Sequence, residues 1–230
     1  MISLIMDNIE YDIEFTDEYV SVLEIQEKSL FNKVIYRLNK AIACGEDVEG
    51  VRLYSDCLEM TLGKAAILVY DMFNPNINQS KIIKYLYEEV SKDYTALFEE
   101  EGVFNNQKPI LQSVNDILLE YEYQFTKRDI LDIKDILKIM DVKFDTDYYD
   151  NPLENIYLLF DLINNFKICK VLILVNCKCY YTEEDLNEVY KMAKYKGINL
   201  LLIESYKDEK HRPLERKIVI DEDFDEFIIN

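Results

Sequence analysis

The sequence predicts an α/β protein: a sheet-bearing head interrupted by an inserted block of helices. Three observations carry this. The stretch 170–206 reads as strand, helix and strand; short apolar runs recur towards both ends of the chain; and the middle shows only helical periodicity. The head is assigned to 1–77 and 167–230, and the helical leg to 78–166.

Val171–Val175 is a continuous apolar run rich in β-branched residues, the pattern of a strand covered on both faces of a parallel sheet. Thr182, with Asp185 three residues on, predicts a helix start, and Leu186, Val189, Tyr190 and Ala193 recur at helical spacing behind it. Gly197 stands where a left-handed cap is wanted, and 200–203 is the second buried strand. Towards the N-terminus, 11–15 and Val20–Ile25 read as strands around a polar turn, followed by a helix over 29–43 with Leu30, Val34, Leu38 and Ile42 on one face. Further strands are predicted over 51–54 and 65–70. A long helix is expected over 79–97, a link flanked by Gly102 and Pro109, and a second helix over 110–123. A third follows from near Thr126 to Met140, and a fourth starts at Asn151-Pro152, a cap followed by a first-turn proline.

The join between Val20–Ile25 and the next helix is where a nucleotide-binding α/β protein carries its phosphate loop. Lys28-Ser29 is present, but Val22 and Glu27 stand where the two glycines belong, and Glu27 points an anion at any phosphate. The architecture is thus phosphate-loop-NTPase-like in a degenerate form, and no nucleotide is expected. The run ending at Asp71 looks like the magnesium-holding strand of such enzymes, but lacks its glycine partner and reads as structural. No nucleophile has an identifiable base and no pair of carboxylates is fixed across a pocket, so an enzyme is not expected.

Composition narrows the rest. Hydrophobic residues make up 49% of 230 positions, which excludes global disorder, and no apolar run approaches the ~20 residues of a membrane span. The N-terminus lacks a basic region and does not read as a signal peptide, so a cytoplasmic location is expected. The cysteines read as reduced thiols, with Cys44, Cys57 and Cys169 packing as small apolar groups. His211 lies in a polar loop and supports neither a metal site nor a catalytic triad. The formal charge is −19, from 26 basic against 45 acidic residues. Long-range electrostatics therefore oppose nucleic-acid binding unless the basic residues are segregated on one surface.

Several stretches carry a resemblance. LVNCKCYYTEEDL and INLLLIE, the closing IVIDEDFDEFII, and AILVYDMFNPNINQSKIIKYLYEEV at 66–90 resemble the Csn2 family of CRISPR-associated spacer-acquisition proteins of type II-A systems. The resemblance covers nearly the whole chain, in core and turn patterns rather than catalytic signatures. It implies a head and a helical leg, a phosphate-loop-like fold without ATPase activity, and a homotetrameric ring that holds double-stranded DNA by its ends, independently of sequence. It also implies CRISPR adaptation integrase and effector nuclease proteins as partners, and calcium bound around the leg. The alternatives are a degenerate phosphate-loop NTPase and an acidic protein-interaction module without a DNA role.

For DNA, the densest basic spacing is Lys28, Lys33, Arg37 and Lys40 on the first helix, with Lys134, Lys138 and Lys143 along the third leg helix and its end. Each set is either phosphate-facing or a solvated side that offsets neighbouring acids. For calcium, the candidate ligands are Glu120 and Glu122 before the Phe125 turn and Asp129, Asp132 and Asp135 after it, hard oxygens from two helix ends. Lys127 and Arg128 intrude there and could pair with the carboxylates instead. The loops 145–151 and 221–226 begin like EF-hands but lack the glycine at position six and read as polar turns.

Overall fold

The computed structural model describes residues 1–121, 123–124, 126, 128, 131–146 and 151–229, with backbone alone at 98–108 and 152. Two compact units emerge, one of residues 1–77 and 146–230, the other of 78–145.

The first unit holds two sheets. Strands β1 (Ile2–Met6), β2 (Ile13–Phe15), β4 (Val51–Ser55) and β5 (Leu58–Met60) form an antiparallel sheet in the order β2-β1-β4-β5. Strands β3 (Val20–Ile25), β6 (Ala66–Val69), β7 (Val171–Val175), β8 (Asn199–Glu204), β9 (Glu215–Ile220) and β10 (Glu226–Ile229) form the second, in the order β10-β9-β3-β8-β7-β6. All of its pairings are parallel except β9 with β10. Every residue of β3 and of β7 is buried, as strands covered on both faces must be. Helix α1 (Lys28–Ile42) turns Leu30, Val34, Leu38 and Ala41 inward, and one apolar cluster joins that face to residues of both sheets. The short α2 (Leu62–Ala65) leads into β6.

Between β7 and β8 come a 3-10 turn, Cys177–Cys179, and α6 (Glu183–Tyr195). Thr182 and Asp185 form the expected capping box, and Gly197 has a φ of +65°, the left-handed geometry that a side chain resists. The N-terminal strand β1, the hairpin strand β5 and the pair β9–β10 are elements that periodicity alone did not single out.

The second unit differs from expectation. A single helix, α3, spans Ser80–Leu118 with Pro109 inside it, where Gly102 and Pro109 predict a link between two helices. Those residues cost a helix about 1 and about 3 kcal/mol, and propagation from the flanking turns carries α3 across them. Helix α4 is Ile133–Ile139, starting later than Thr126 because Asp132 takes the N-cap, its side chain accepting from the Lys134 N–H at 3.1 Å. Helix α5 (Pro152–Phe166) starts as predicted on the Asn151 cap, but it belongs to the α/β unit, so the boundary expected at 166 lies near 145. Its buried residues explain this. Ile156, Leu159 and Phe160 are fully enclosed, Leu153, Leu162 and Ile163 nearly so, and the helix packs on α6. Cys44 and Cys57 are exposed rather than packed, since both lie in polar turns beyond the apolar runs, and Cys169 is half-buried.

Candidate nucleic-acid interface and a buried charge network

On α1, the basic residues lie away from the core face. Lys28 and Lys33 are exposed and have no carboxylate partner among the described residues. Lys28 stands in the first turn, where the helix dipole disfavours a cation, so local helix energetics do not account for it. Arg37 Nη1 donates to Asn8 Oδ1 at 2.7 Å, an uncharged partner. Lys40 pairs with Glu46 at 3.3 Å and lies 5.3 Å from the Tyr36 ring centroid, which holds its ammonium above the usual lysine range. Lys33, Arg37 and Lys40, at i, i+4 and i+7, form one stripe.

In the helical unit the second basic set is largely neutralised. Lys138 pairs with Asp135 at 3.4 Å and Lys143 with Asp141 at 2.7 Å. Lys134 has no ion pair among the described residues and borders an open cleft of about 580 Å³ with Glu88, Ser91, Lys92 and Thr95.

Among the described residues, the expected calcium ligands Asp132 and Asp135 are engaged by other groups. Glu122 and Asp129 lie outside the described residues, and Glu120 is exposed. Asp132 caps α4, and Asp135 accepts from Arg128 Nη1 at 2.8 Å and from Lys138. The guanidinium foreseen as an intruder thus holds the carboxylate that calcium would need. Among the described residues no group of three or more His, Cys, Asp or Glu side chains is placed to hold a metal. In the 145–151 loop, residues 147–150 fall outside the described set. In the 221–226 loop, Asp221 Oδ1 accepts from the N–H groups of Asp223 and Asp225, closing a polar turn before β10.

At the phosphate-loop position, Glu27 is the N-cap of α1, and its carboxylate accepts from the N–H groups of Ser29 and Leu30. The amides that would cradle a phosphate are satisfied by the protein's own anion. Asp71 closes a local turn by accepting from the N–H groups of Phe73 and Asn74. Its strand, β6, is the sheet edge, with β7 and β8 between it and β3, roughly 14 Å across at the usual strand spacing. Calorimetry with Mg²⁺-ATP is therefore expected to give no binding heat, and a micromolar Kd would overturn this.

A further set of charges, not anticipated from the sequence, is enclosed on the sheet face opposite α1. Lys178 Nζ lies 3.1 Å from Glu24 Oε1 and 3.1 Å from Glu215 Oε1, and Lys217 Nζ lies 3.2 Å from Glu24 Oε1. Lys217 also donates to the carbonyls of Asp208 and Lys210. Arg212 bridges Asp208 at 2.7 Å, Glu215 at 3.4 Å and Glu183 at 2.8 Å. Arg212, with Lys210, holds the Glu183 carboxyl down at about 2. The Tyr190 hydroxyl donates to Glu215 from α6, and its pKa is pushed up, chiefly by burial. The sequence signal was there in outline: Glu24 and Glu204 sit in strands that are otherwise nearly all apolar, where a charge demands a partner.

The family model for the CRISPR-associated protein Cas_Csn2 matches residues 45–224. No curated protein matches the chain. Among solved structures, the chain is similar to the ATP-binding cassette MJ0796 in a dimeric post-hydrolysis state with ADP and Pi, at 10% identity and a TM-score of 0.41, over 96% of this chain and 95% of that one. It is also similar to the ATP-binding cassette MJ1267 in its ADP conformation, at 13% identity and a TM-score of 0.45, over 95% of this chain and 87% of that one. Likeness at that level carries no argument about fold or chemistry. The family match spans most of the chain, from just beyond α1 to the β9–β10 turn, and on it the protein belongs to the Csn2 family of CRISPR-associated proteins.

Proposed function

We propose that the chain is a non-catalytic binder of double-stranded DNA ends that works in CRISPR spacer acquisition as a homotetrameric ring. Adaptation integrase and effector nuclease proteins are its partners in this reading. The observation that carries it is the α1 stripe. In a chain of net charge −19, Lys28 and Lys33 are exposed without acidic partners among the described residues, and Arg37 donates to the amide oxygen of Asn8. Cations left uncompensated on one face of an acidic protein are available to an external anion, and phosphates are contacted without reading base edges. Self-association is supported by Ile110, Val114 and Ile117 on α3, which are 66%, 48% and 56% exposed and share a face at i, i+4 and i+7. Calcium does not enter this reading, because Asp132 and Asp135 are already engaged by the α4 cap and by Arg128 and Lys138.

The test is a gel shift with linear and covalently closed circular duplex, in EDTA and in Ca²⁺, on wild type and on the Lys33→Glu/Arg37→Glu variant. Linear duplex should bind and closed circles should not, with or without Ca²⁺. The variant should bind at least about tenfold more weakly, and its log–log salt slope should fall by roughly 1 for each phosphate that the two side chains neutralise. Scattering should show an intact tetramer. Unchanged affinity and slope would remove α1 from the interface, and the same reversal at Lys134 and Lys138 would then test the helical unit. Failure of wild type to bind any duplex would favour an acidic protein-interaction module.

A further inference from the structure

The buried network is balanced without Glu204. Lys178, Lys217 and Arg212 face Glu24, Glu215 and Asp208, cation for anion, while Glu183 pairs outward with Lys210 as well as with Arg212. Glu204, the last residue of β8, is a further carboxyl with no exposed surface. Its Oε1 accepts from the Lys178 N–H at 3.1 Å, and its Oε2 is enclosed with no hydrogen-bond partner.

Its surroundings favour the neutral acid. From β3 comes Glu24, opposite Glu204 in the parallel register. From the 3-10 turn come Cys177 and Lys178, and from the following segment Tyr206. Burial pushes the Cys177 thiol and the Tyr206 phenol up, so both are uncharged at neutral pH. Lys178 is the cation facing Glu204, and it is already shared between Glu24 and Glu215. A second carboxylate beside Glu24 has no counter-charge of its own.

The segment 205–214, which joins β8 to β9, hangs on the same groups. The Asp208 N–H donates to Glu24 Oε2 at 3.1 Å, the Asp208 and Lys210 carbonyls accept from Lys217, and Arg212 reaches back to Glu215. We propose that Glu204 is a proton-operated latch for this segment. With the proton on, the enclosed charges cancel and the segment is pinned to the sheet. When the proton leaves to solvent, the added carboxylate competes with Glu24 for Lys178, and the anchor at Asp208 loosens.

The direction with pH follows from the burial of Glu204, which pushes its carboxyl up from 4.5 to about 7. An opened segment exposes the group, which then ionises at its ordinary value. Between pH 4.5 and about 7 the open form holds fewer protons, so opening becomes easier as pH rises and levels off above about 7. The difference corresponds to an increase in opening of about 300-fold.

The test is amide hydrogen exchange from pH 5 to 8, corrected for intrinsic rates, on wild type and Glu204→Gln. Protection at the Asp208 and Lys178 amides should fall by about 70-fold between pH 5 and 8 in wild type. It should stay flat in Glu204→Gln, which should exceed wild type at pH 8. Parallel profiles in the two proteins would overturn the latch. So would an equal loss at the Leu4 amide in the other sheet, which would mark global rather than local opening. Carbon-detected titration of the wild-type carboxyl needs no variant: a midpoint near 7 supports the latch, and one below 5 rejects it.

Discussion

Replacing Lys178 with methionine should cost the α/β unit about 3–5 kcal/mol of unfolding free energy at pH 8, lowering its Tm by roughly 10 °C. Methionine keeps most of the stem volume but none of the charge. The lysine side chain is 1% exposed and both of its closest acids, Glu24 and Glu215, are 0% exposed, so the variant leaves two enclosed carboxylates sharing Lys217, with Arg212 3.4 Å from Glu215. Urea melts of wild type and variant at pH 8 measure the loss. A loss below about 1 kcal/mol at pH 8 would mean that Lys178 contributes no more than a surface pair such as Lys92–Glu89, whose side chains are 70% and 42% exposed.

Phe160→Ala should be comparably severe, about 3–5 kcal/mol, because a fully enclosed ring leaves a cavity that neighbours fill only in part. The location of the damage matters more than its size. Helix α5 packs on α6 within the α/β unit, so exchange protection should fall in β7, α6 and β8 while α3 keeps its own. Loss of protection confined to α3 and α4 would instead return α5 to the helical unit.

What could be read in advance was what neighbours in sequence decide. Five consecutive apolar residues made β7 legible, and the Thr182–Asp185 spacing marked the start of α6, because each signal lies within a few positions. The same local habit misread Pro109, whose penalty was taken as a break although the turns on either side outweigh it. The Arg128–Asp135 pair was visible as an alternative to calcium, since only seven positions separate the two residues. The buried network was not, because Glu24, Lys178, Glu204 and Glu215 come together only when β3, β8 and β9 lie side by side. Nor does α1 disclose from its sequence alone that Lys40 is spent on Glu46 while Lys33 is not.

Strand β3 must wait for its neighbours while the chain is made. Both of them, β8 and β9, lie beyond residue 198, so the fully buried strand at 20–25 leaves the ribosome long before anything can pair with it. At ordinary elongation rates that interval is on the order of tens of seconds. Throughout it, the nascent chain offers an unpaired VSVLEI edge to other chains. Helix α1 and the β1–β2–β4–β5 sheet are complete by residue 60 and can shield one side of the waiting strand, but not its hydrogen-bonding edges. The yield of this protein in cells should therefore depend on chaperone holding during synthesis, more than its equilibrium stability would indicate.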